Sequence, residues 1–514
     1  MMIISVLRNR AWLGRALLAL LAGGAALWLY ARTTAPWLTW AHDGADGGDL
    51  IAAAMTWGAP HPSGYPSYCL LGRLFALLPL GNVARRFNLF SATTAALAIV
   101  LLSLTMQRAL RQAAGRPSWR EIALALIGAW AAACAPIFWS QAIIAEVYAL
   151  NACFFAALLY IAQRDDWLEL PRAWAAMGLT LGLGLGAHLT LTLAIPGLAI
   201  MLWPRLTRRR VVAGLLGALL GLGVYLYLPL AAWANPPINW GNPRTWAAFW
   251  WVVSGKLYQG YALALPWATL PTRLGAWTQL WGQQYGWLGL ALSLMGLGSW
   301  FSLGWRRRAW AALTIFALYS TYALLYDTAD SYVYLIPAYL VTALWLAEGA
   351  RLALATLLGP APRRETLFTF VALLALLAIP GGSLTRSSAA LDLSRDRVTA
   401  DWVADVLRQA PEGALLITGR DDHTFALDYA CWVENQRPDL CVMDGELLSQ
   451  PWYAAQLDRR CPGLSSPGQG FDLVTLIAAN LDRRPIYLTN ERPELAEAFT
   501  LEHQGALWKI TGRR

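Results

Sequence analysis

Charge is what this sequence has least of. Only 14% of its 514 residues are Asp, Glu, Lys or Arg, where a soluble chain of this length carries about a quarter. That shortage excludes an ordinary soluble globular protein, and a hydrophobic content of 57% points the same way. Lysine is rare, and there are five histidines. No internal repeat or low-complexity tract is evident, and no two halves resemble each other as the halves of many transporters do. No His, Cys, Asp or Glu cluster has the tight spacing of a committed metal motif. The net charge of +9 would suit a nucleic-acid partner if it gathered on one face or in one tail. Instead it sits in short clusters between apolar runs, so nucleic acid is excluded as a partner.

Tryptophan, by contrast, is abundant at 28 copies, which suits a protein that anchors side chains at a membrane–water interface. Apolar runs of about 20 residues, the length that crosses a bilayer, recur along the first three quarters of the chain. They predict about 11 transmembrane helices: Leu13–Tyr30, Asn88–Met106, Ile122–Trp139, Val147–Ala162, Trp174–Ala187, Leu189–Trp203, Val211–Pro229, Tyr285–Leu303, Ala309–Tyr326, Tyr332–Ala350 and Leu367–Leu384. The Trp174–Trp203 stretch is read as a tight hairpin turning near Gly186 and His188. The first run, with its basic start, also fits a signal peptide.

Every second loop is rich in arginine: Arg8 and Arg10, then Arg108, Arg111, Arg116 and Arg120, then Arg164 and Arg172, then Arg205 and Arg208–Arg210, then Arg306–Arg308, then Arg351, Arg363 and Arg364. Basic loops stay on the cytoplasmic side. The expectation is therefore a multi-pass protein of a bacterial-type inner (plasma) membrane, with a cytoplasmic N-terminus and an extracytoplasmic C-terminal domain. The membrane domain is taken as 1–386, with a first external loop at 31–87 and a long one at 231–284. The remainder, 387–514, regains charge and proline, and its alternation of short runs predicts a small soluble α/β domain. Cys431, Cys441 and Cys461 lie there, so one disulfide is possible and one thiol must remain.

This layout gathers the unusual polar residues on one face. The first loop carries Asp43, Asp46, Asp49, His61 and Tyr65; the next leads into Glu146, Tyr148 and Asn151; His188 sits at the hairpin. Asn239, Arg244 and Lys256 lie in the long loop, and Asp327 and Asp330 in a later one. The plain reading of Asp46 and Asp49 is a helix start, where acids cap free N–H groups. That does not account for three aspartates in seven residues with glycines between them, and an acid at a membrane edge is costly unless it has a partner or a task. The glycines would let backbone and substrate approach closely. Glu146 can likewise be a helix-start acid, His188 a hydrogen-bonded structural residue, and Asp327 and Asp330 a solvated turn that shares one face if a helix has begun. Arg244 and Lys256 are the cations a phosphate leaving group needs, although each can equally be a surface charge. Spaced acids with one or two histidines could hold Mg²⁺ or Mn²⁺, and metal use stays open.

Asp46-Gly47-Gly48-Asp49 followed by His61-Pro62-Ser63-Gly64-Tyr65-Pro66 resembles a family of multispan proteins that includes bacterial members and a eukaryotic transmembrane protein O-mannosyltransferase. The family pattern is Asp-Ser-Gly-Glu, then His-Pro-Pro-Gly-Tyr-Pro; this chain has Gly47 for Ser, Asp49 for Glu and Ser63 for Pro. Ala145-Glu146-Val147-Tyr148, His188, Asn239-Trp240-Gly241 and Asp330…Tyr334…Pro337 are similar to further family positions. The resemblance implies the GT-C glycosyltransferase class: many membrane helices, an acid in the first external loop, and a polyprenyl-phosphate-linked sugar as donor. It implies Asp46 as the base with Asp49 second, and a protein or glycan hydroxyl as acceptor, with mannose and Ser or Thr as the eukaryotic pair. Asp49 and Glu146 are expected to orient it or bind metal, with His188 and Arg244 near the phosphate. The substrate-binding set is Asp43, His61, Tyr65, Glu146, Tyr148, Asn151, His188, Asn239, Arg244, Lys256, Asp327 and Asp330, with membrane lipids around it. A multispan transporter of a lipid or sugar, and a non-catalytic membrane protein with a partner-binding tail, are the rival classes.

Overall fold

A computed structural model describes residues 2–114, 118–358, 365–465 and 472–514 of the chain. Arg116, Arg363, Arg364 and the side chains of Arg8 and Arg10 lie outside what is described. The first three quarters is a bundle of helices and the remainder adds a five-stranded sheet.

Among the described residues five helices are both long and apolar enough to cross a membrane: Trp12–Thr33, Val83–Ala114, Arg208–Trp233, Ser331–Leu357 and Leu367–Leu391. A sixth arises if the bent pair Trp119–Ala133 and Pro136–Ala142 counts as one. This is fewer than the 11 expected, because several runs are helices broken or shortened by their own residues. Pro136 has no N–H to continue the helix before it, and the chain bends by 68° there. Gly286, at φ 65°, interrupts Leu270–Ser302. The expected hairpin does break at Gly186–His188, but its second arm is a 3₁₀ turn, Leu189–Ala194, leading into the short helix Ile195–Leu202.

Small residues set the closest helix packing. Gly296 of Leu270–Ser302 lies against the Trp345 carbonyl of Ile336–Leu358, and Gly349 returns the contact at Leu292, so a methyl group at either position would overlap backbone. Such close approach is how membrane helices gain dispersion energy without a hydrophobic drive between them.

Arginines from several chain segments interlock at one end of the bundle. Arg205 and Arg308 share Asp165, and Arg108 and Arg164 share Asp166. The aspartates of the first loop lie at the other end, where Val83–Ala114 begins and Ser91 bonds the Glu146 carbonyl.

The strands are β1 (Leu415–Thr418), β2 (Cys441–Asp444), β3 (Ile486–Leu488), β4 (Phe499–Gln504) and β5 (Leu507–Arg513), ordered β2-β1-β3-β5-β4. β1 lies between β2 and β3, is fully buried, and is parallel to both; β4 and β5 form an antiparallel hairpin on the far edge. Cys441 pairs with Cys461 and Cys431 stays free. This sheet unit is docked on the first loop. Trp37 donates to Glu434 at 2.7 Å, Trp40 to the Asp422 carbonyl at 3.2 Å, and the Tyr429 hydroxyl accepts from the Ala84 N–H at 3.0 Å.

Candidate active site

The short helix Gly47–Thr56 begins with two glycines, which are poor helix formers. Their lack of a side chain is what the packing needs. A Cβ on Gly48 would overlap the carbonyl of Phe425, and one on Gly47 would stand 3.0 Å from the Ala145 carbonyl. The helix is thereby wedged between the loop leading to Glu146 and the helix Asp421–Trp432 of the sheet unit. The glycines let backbone approach closely, as expected, and the backbone they admit is that of Phe425 and Ala145.

That wedge fixes Asp49. Its side chain is 1% exposed, and both oxygens are taken: Oδ2 accepts from the His61 N–H at 2.9 Å and lies 2.7 Å from His61 Nδ1, while Oδ1 accepts from Trp240 Nε1 at 3.0 Å. A carboxylate can only accept, so His61 carries its proton on Nδ1. The other imidazole nitrogen, Nε2, faces Asp46 Oδ2 at 3.4 Å. Burial would push the His61 imidazole down, but the Asp46 charge and the bonds to Asp46 and Asp49 outweigh it and hold it well above its ordinary value. Phe425 stacks on the ring at 6.1 Å, and Tyr65 meets it edge-on at 5.0 Å. Asp46 differs from Asp49 in being accessible: 42% of its side chain is exposed. The arrangement is a buried carboxylate holding an imidazolium, which in turn steadies an open carboxylate.

A cleft of about 210 Å³ adjoins this trio. Tyr65, Tyr258, Tyr326, Tyr334 and His188 line it, together with Pro62 and Ser63. His188 stands among the rings of Tyr65, Tyr148 and Tyr334 at 6.0, 5.4 and 5.7 Å. Its Nδ1 accepts from the Thr190 N–H at 3.2 Å, so the ring proton is on Nε2. Burial, aided by the charge of His61, pushes this imidazole down to about 4 and keeps it neutral. Asn151 reaches Thr190 from the next helix at 3.5 Å.

Glu146 is buried, and its Oε1 has no partner. Burial first, then the charge of Asp46, raises its carboxyl well above the usual range. Asp330 is raised by burial as well, and it senses Asp46 and Asp43. Asp43 itself accepts from the Tyr332 hydroxyl at 2.6 Å.

Other expected residues lie elsewhere or do other work. Arg244 is spent on the Ala232 carbonyl, at 3.0 and 2.8 Å, and on Asn235; those bonds hold its own loop rather than the acid cluster. Asn239 supplies its carbonyl to Gln456, and its loop pairs with Ala59. Lys256 is exposed on the short 3₁₀ turn Lys256–Tyr261, whose Tyr258 and Gln259 line the cleft. Asp327 and Asp330 do not share a helix face: the 3₁₀ turn starts only at Ser331, and Asp327 is an exposed turn residue. Among the described residues no group of three His, Cys, Asp or Glu side chains is arranged to hold a metal ion, and Asp49 is walled off by its own N–H donors.

In sequence, Asp421-Asp422-His423 follows a strand and opens a helix, which reads as a cap or as a ligand contact. The structure sets Asp421 near the trio: burial, then the charges of Asp444 and Asp46, push its carboxyl up to about 6.

Residues 46–211 match the family model described as the protein O-mannosyl-transferase TMEM260 N-terminal domain, and residues 399–466 match TMEM260-associated domain 2. The chain is similar to the TMEM260 protein O-mannosyl-transferases. The mouse protein of that name is 25% identical over 84% of this chain, and the Dictyostelium discoideum one is 23% identical over 87%. The chain spans about three fifths of the length of these relatives, 63% and 60% respectively. Its fold is that of ArnT from Cupriavidus metallidurans, solved bound to undecaprenyl phosphate, at a TM-score of 0.53, 12% identity and 97% and 98% coverage of the two chains. The two matched TMEM260 segments hold the two sides of the site: Asp46, Asp49, His61 and His188 in one, Asp421 and Phe425 in the other.

Proposed function

We propose that this protein is a membrane glycosyltransferase that moves a sugar, mannose in the first instance, from a polyprenyl-phosphate carrier to a protein Ser or Thr hydroxyl on the extracytoplasmic face. The observation that carries this reading is the accessible carboxylate of Asp46, steadied by the buried His61–Asp49 pair, at the edge of a tyrosine-lined cleft. The names of the TMEM260 relatives support the acceptor, and the undecaprenyl phosphate bound to ArnT supports the carrier.

In the proposed reaction Asp46 accepts the proton of the acceptor hydroxyl as its oxygen attacks the anomeric carbon. The bond from that carbon to the phosphate oxygen breaks, the lipid phosphate leaves with the electron pair, and the configuration inverts. Glu146, kept protonated by burial, and His188 Nε2–H are neutral donors for the sugar and phosphate oxygens, and the tyrosine hydroxyls of the cleft add to them. Lys256, at the rim, supplies the cation for the leaving phosphate. Arg244 is not given that role, because its Nε and Nη2 groups hold its own loop. No step is routed through a metal. The sheet unit caps the site from the acceptor side through Asp421 and Phe425.

The test is a transfer assay with the full chain in lipid, offered polyprenyl-phosphate-linked mannose and other sugars together with cell-envelope proteins and glycans. Label on protein Ser or Thr from the mannose donor is the expected result. Label on glycan from another donor would move the substrates. No transfer from any donor by folded protein, with flux across vesicles instead, would replace the reading with transport.

A further inference from the structure

A second polar cavity lies at the arginine-rich end of the bundle, remote from the acid cluster. It has a volume of about 360 Å³ and is open on one side, and its wall includes Arg15, Arg108, Arg111, Arg164, Gln107 and Trp12. Arg15 comes from the first helix, Met2–Thr33; Arg108 and Arg111 come from the end of Val83–Ala114; Arg164 follows the helix Tyr148–Ala162. One carboxylate, Asp166, also lines it, and this is shared by Arg108 and Arg164 at 2.9 Å each. Among the described residues Arg15 and Arg111 have no carboxylate partner. Two buried polar atoms of the wall, Arg111 Nε and Gln107 Oε1, make no hydrogen bond to protein. An unpaired buried donor of this kind costs free energy unless a ligand or water meets it, and four guanidinium groups around one carboxylate leave a net charge of about +3 for a ligand to balance.

Position and surroundings name the ligand class. Ser91, which bonds the Glu146 carbonyl, and Arg111 are on the same helix, about 30 Å apart at 1.5 Å per residue. That is about the thickness of a bilayer's hydrocarbon core, so the cavity lies at the opposite membrane interface from the acid site. Trp12, 51% exposed, stands at its edge, and Leu13, Leu17, Leu20 and Leu21 continue from it along the first helix as an exposed apolar strip. Basic cavities between membrane helices on the cytoplasmic side suit phosphate headgroups.

We propose that this cavity binds the phosphate of an anionic membrane lipid, with Arg111 and Arg15 on the phosphate oxygens and the acyl chains along the leucine strip of the first helix. The site is separate from the sugar-transfer centre and does not depend on that reading.

The test uses the full chain in bilayers of phosphatidylcholine doped with phosphatidylglycerol, counting retained lipids by native mass spectrometry. Wild type should retain phosphatidylglycerol in preference to phosphatidylcholine. Each arginine removed should weaken that preference roughly fivefold, as expected for one cation near an anionic headgroup, so the double variant Arg15→Gln/Arg111→Gln should lose nearly all of it. Arg15→Lys/Arg111→Lys, which keeps the charges, should retain most of the preference and serves if the first pair does not fold. Arg205→Gln, at the same end but engaged with Asp165, should behave as wild type. An unchanged preference in the glutamine double variant, or an equal loss in Arg205→Gln, would overturn the proposal. So would inorganic phosphate occupying the site and displacing lipid at millimolar concentration, because the ligand would then be soluble phosphate.

Discussion

Trp240 and Asp49 are 191 residues apart in the chain, yet the indole N–H of Trp240 donates to Asp49 Oδ1 at 3.0 Å. This bond ties the long loop to the first loop. It also uses the last oxygen of Asp49, which leaves Asp46 as the only carboxylate of the trio open to a substrate.

Asp49→Asn should therefore fail differently from changes at Asp46. Both Asp49 oxygens face N–H donors, so an amide would turn an N–H against an N–H and strip the charge that balances His61. Breaking a buried, hydrogen-bonded charge pair costs about 3–5 kcal/mol. Thermal unfolding in detergent should show a clear drop in Tm together with loss of transfer. A variant that melts like wild type would mean the pair is not holding the loop.

The pH dependence of stability should carry two signatures of the same sign in different pH windows. His61 is raised in the folded protein, so its stabilising charge is fully present below its unfolded value of about 6.5 and is lost as pH rises through the folded value. Melting temperature should fall on the alkaline side, and His61→Gln should flatten that limb. Asp421 is also raised, to about 6, so its contribution has the same sign at lower pH: the cost of its buried charge grows from the unfolded value of about 3.9, is full above about 6, and is relieved only as pH falls back through that window. Asp421→Asn should melt higher than wild type at about pH 7.5, with the difference shrinking below about pH 6 and closing only below about pH 4. Equal melting at about pH 7.5 would show that Asp421 is not buried beside the other acids.

Gly48→Ala tests the wedge. The added methyl overlaps the Phe425 carbonyl, and overpacking of this kind typically costs about 1–3 kcal/mol. The helix Asp421–Trp432 should be pushed off the trio, lowering transfer and exposing the sheet unit to limited proteolysis. Full activity with wild-type protease resistance would mean the cap is dispensable.

Much of this site was readable from residue type and spacing. Apolar run length and the arginine loops predicted membrane helices and put Asp46, His61, Glu146 and His188 on one face, because those signals depend only on local sequence. What a helix is cut by was harder: Pro136 and Gly286 shorten runs that look continuous by composition. The β4–β5 hairpin was missed because β4 is largely exposed, leaving no buried alternation to read. The surroundings of Asp421 and Arg244 cannot be seen from their neighbours in sequence. Asp421 meets the first loop from the far end of the chain, and Arg244 finds its carbonyl partner where its own loop folds back on itself.

The central claim is that Asp46 is the base, and one comparison tests it most directly. Transfer from the polyprenyl-phosphate-linked sugar should be measured for wild type and Asp46→Asn at saturating donor and acceptor, alongside their melting temperatures. Because Asp46 is half-exposed and makes only a 3.4 Å contact to His61, the variant should fold nearly as well as wild type, while turnover should fall by about 10²–10⁴-fold, the usual worth of a positioned base. Normal turnover by a folded Asp46→Asn protein would contradict the account.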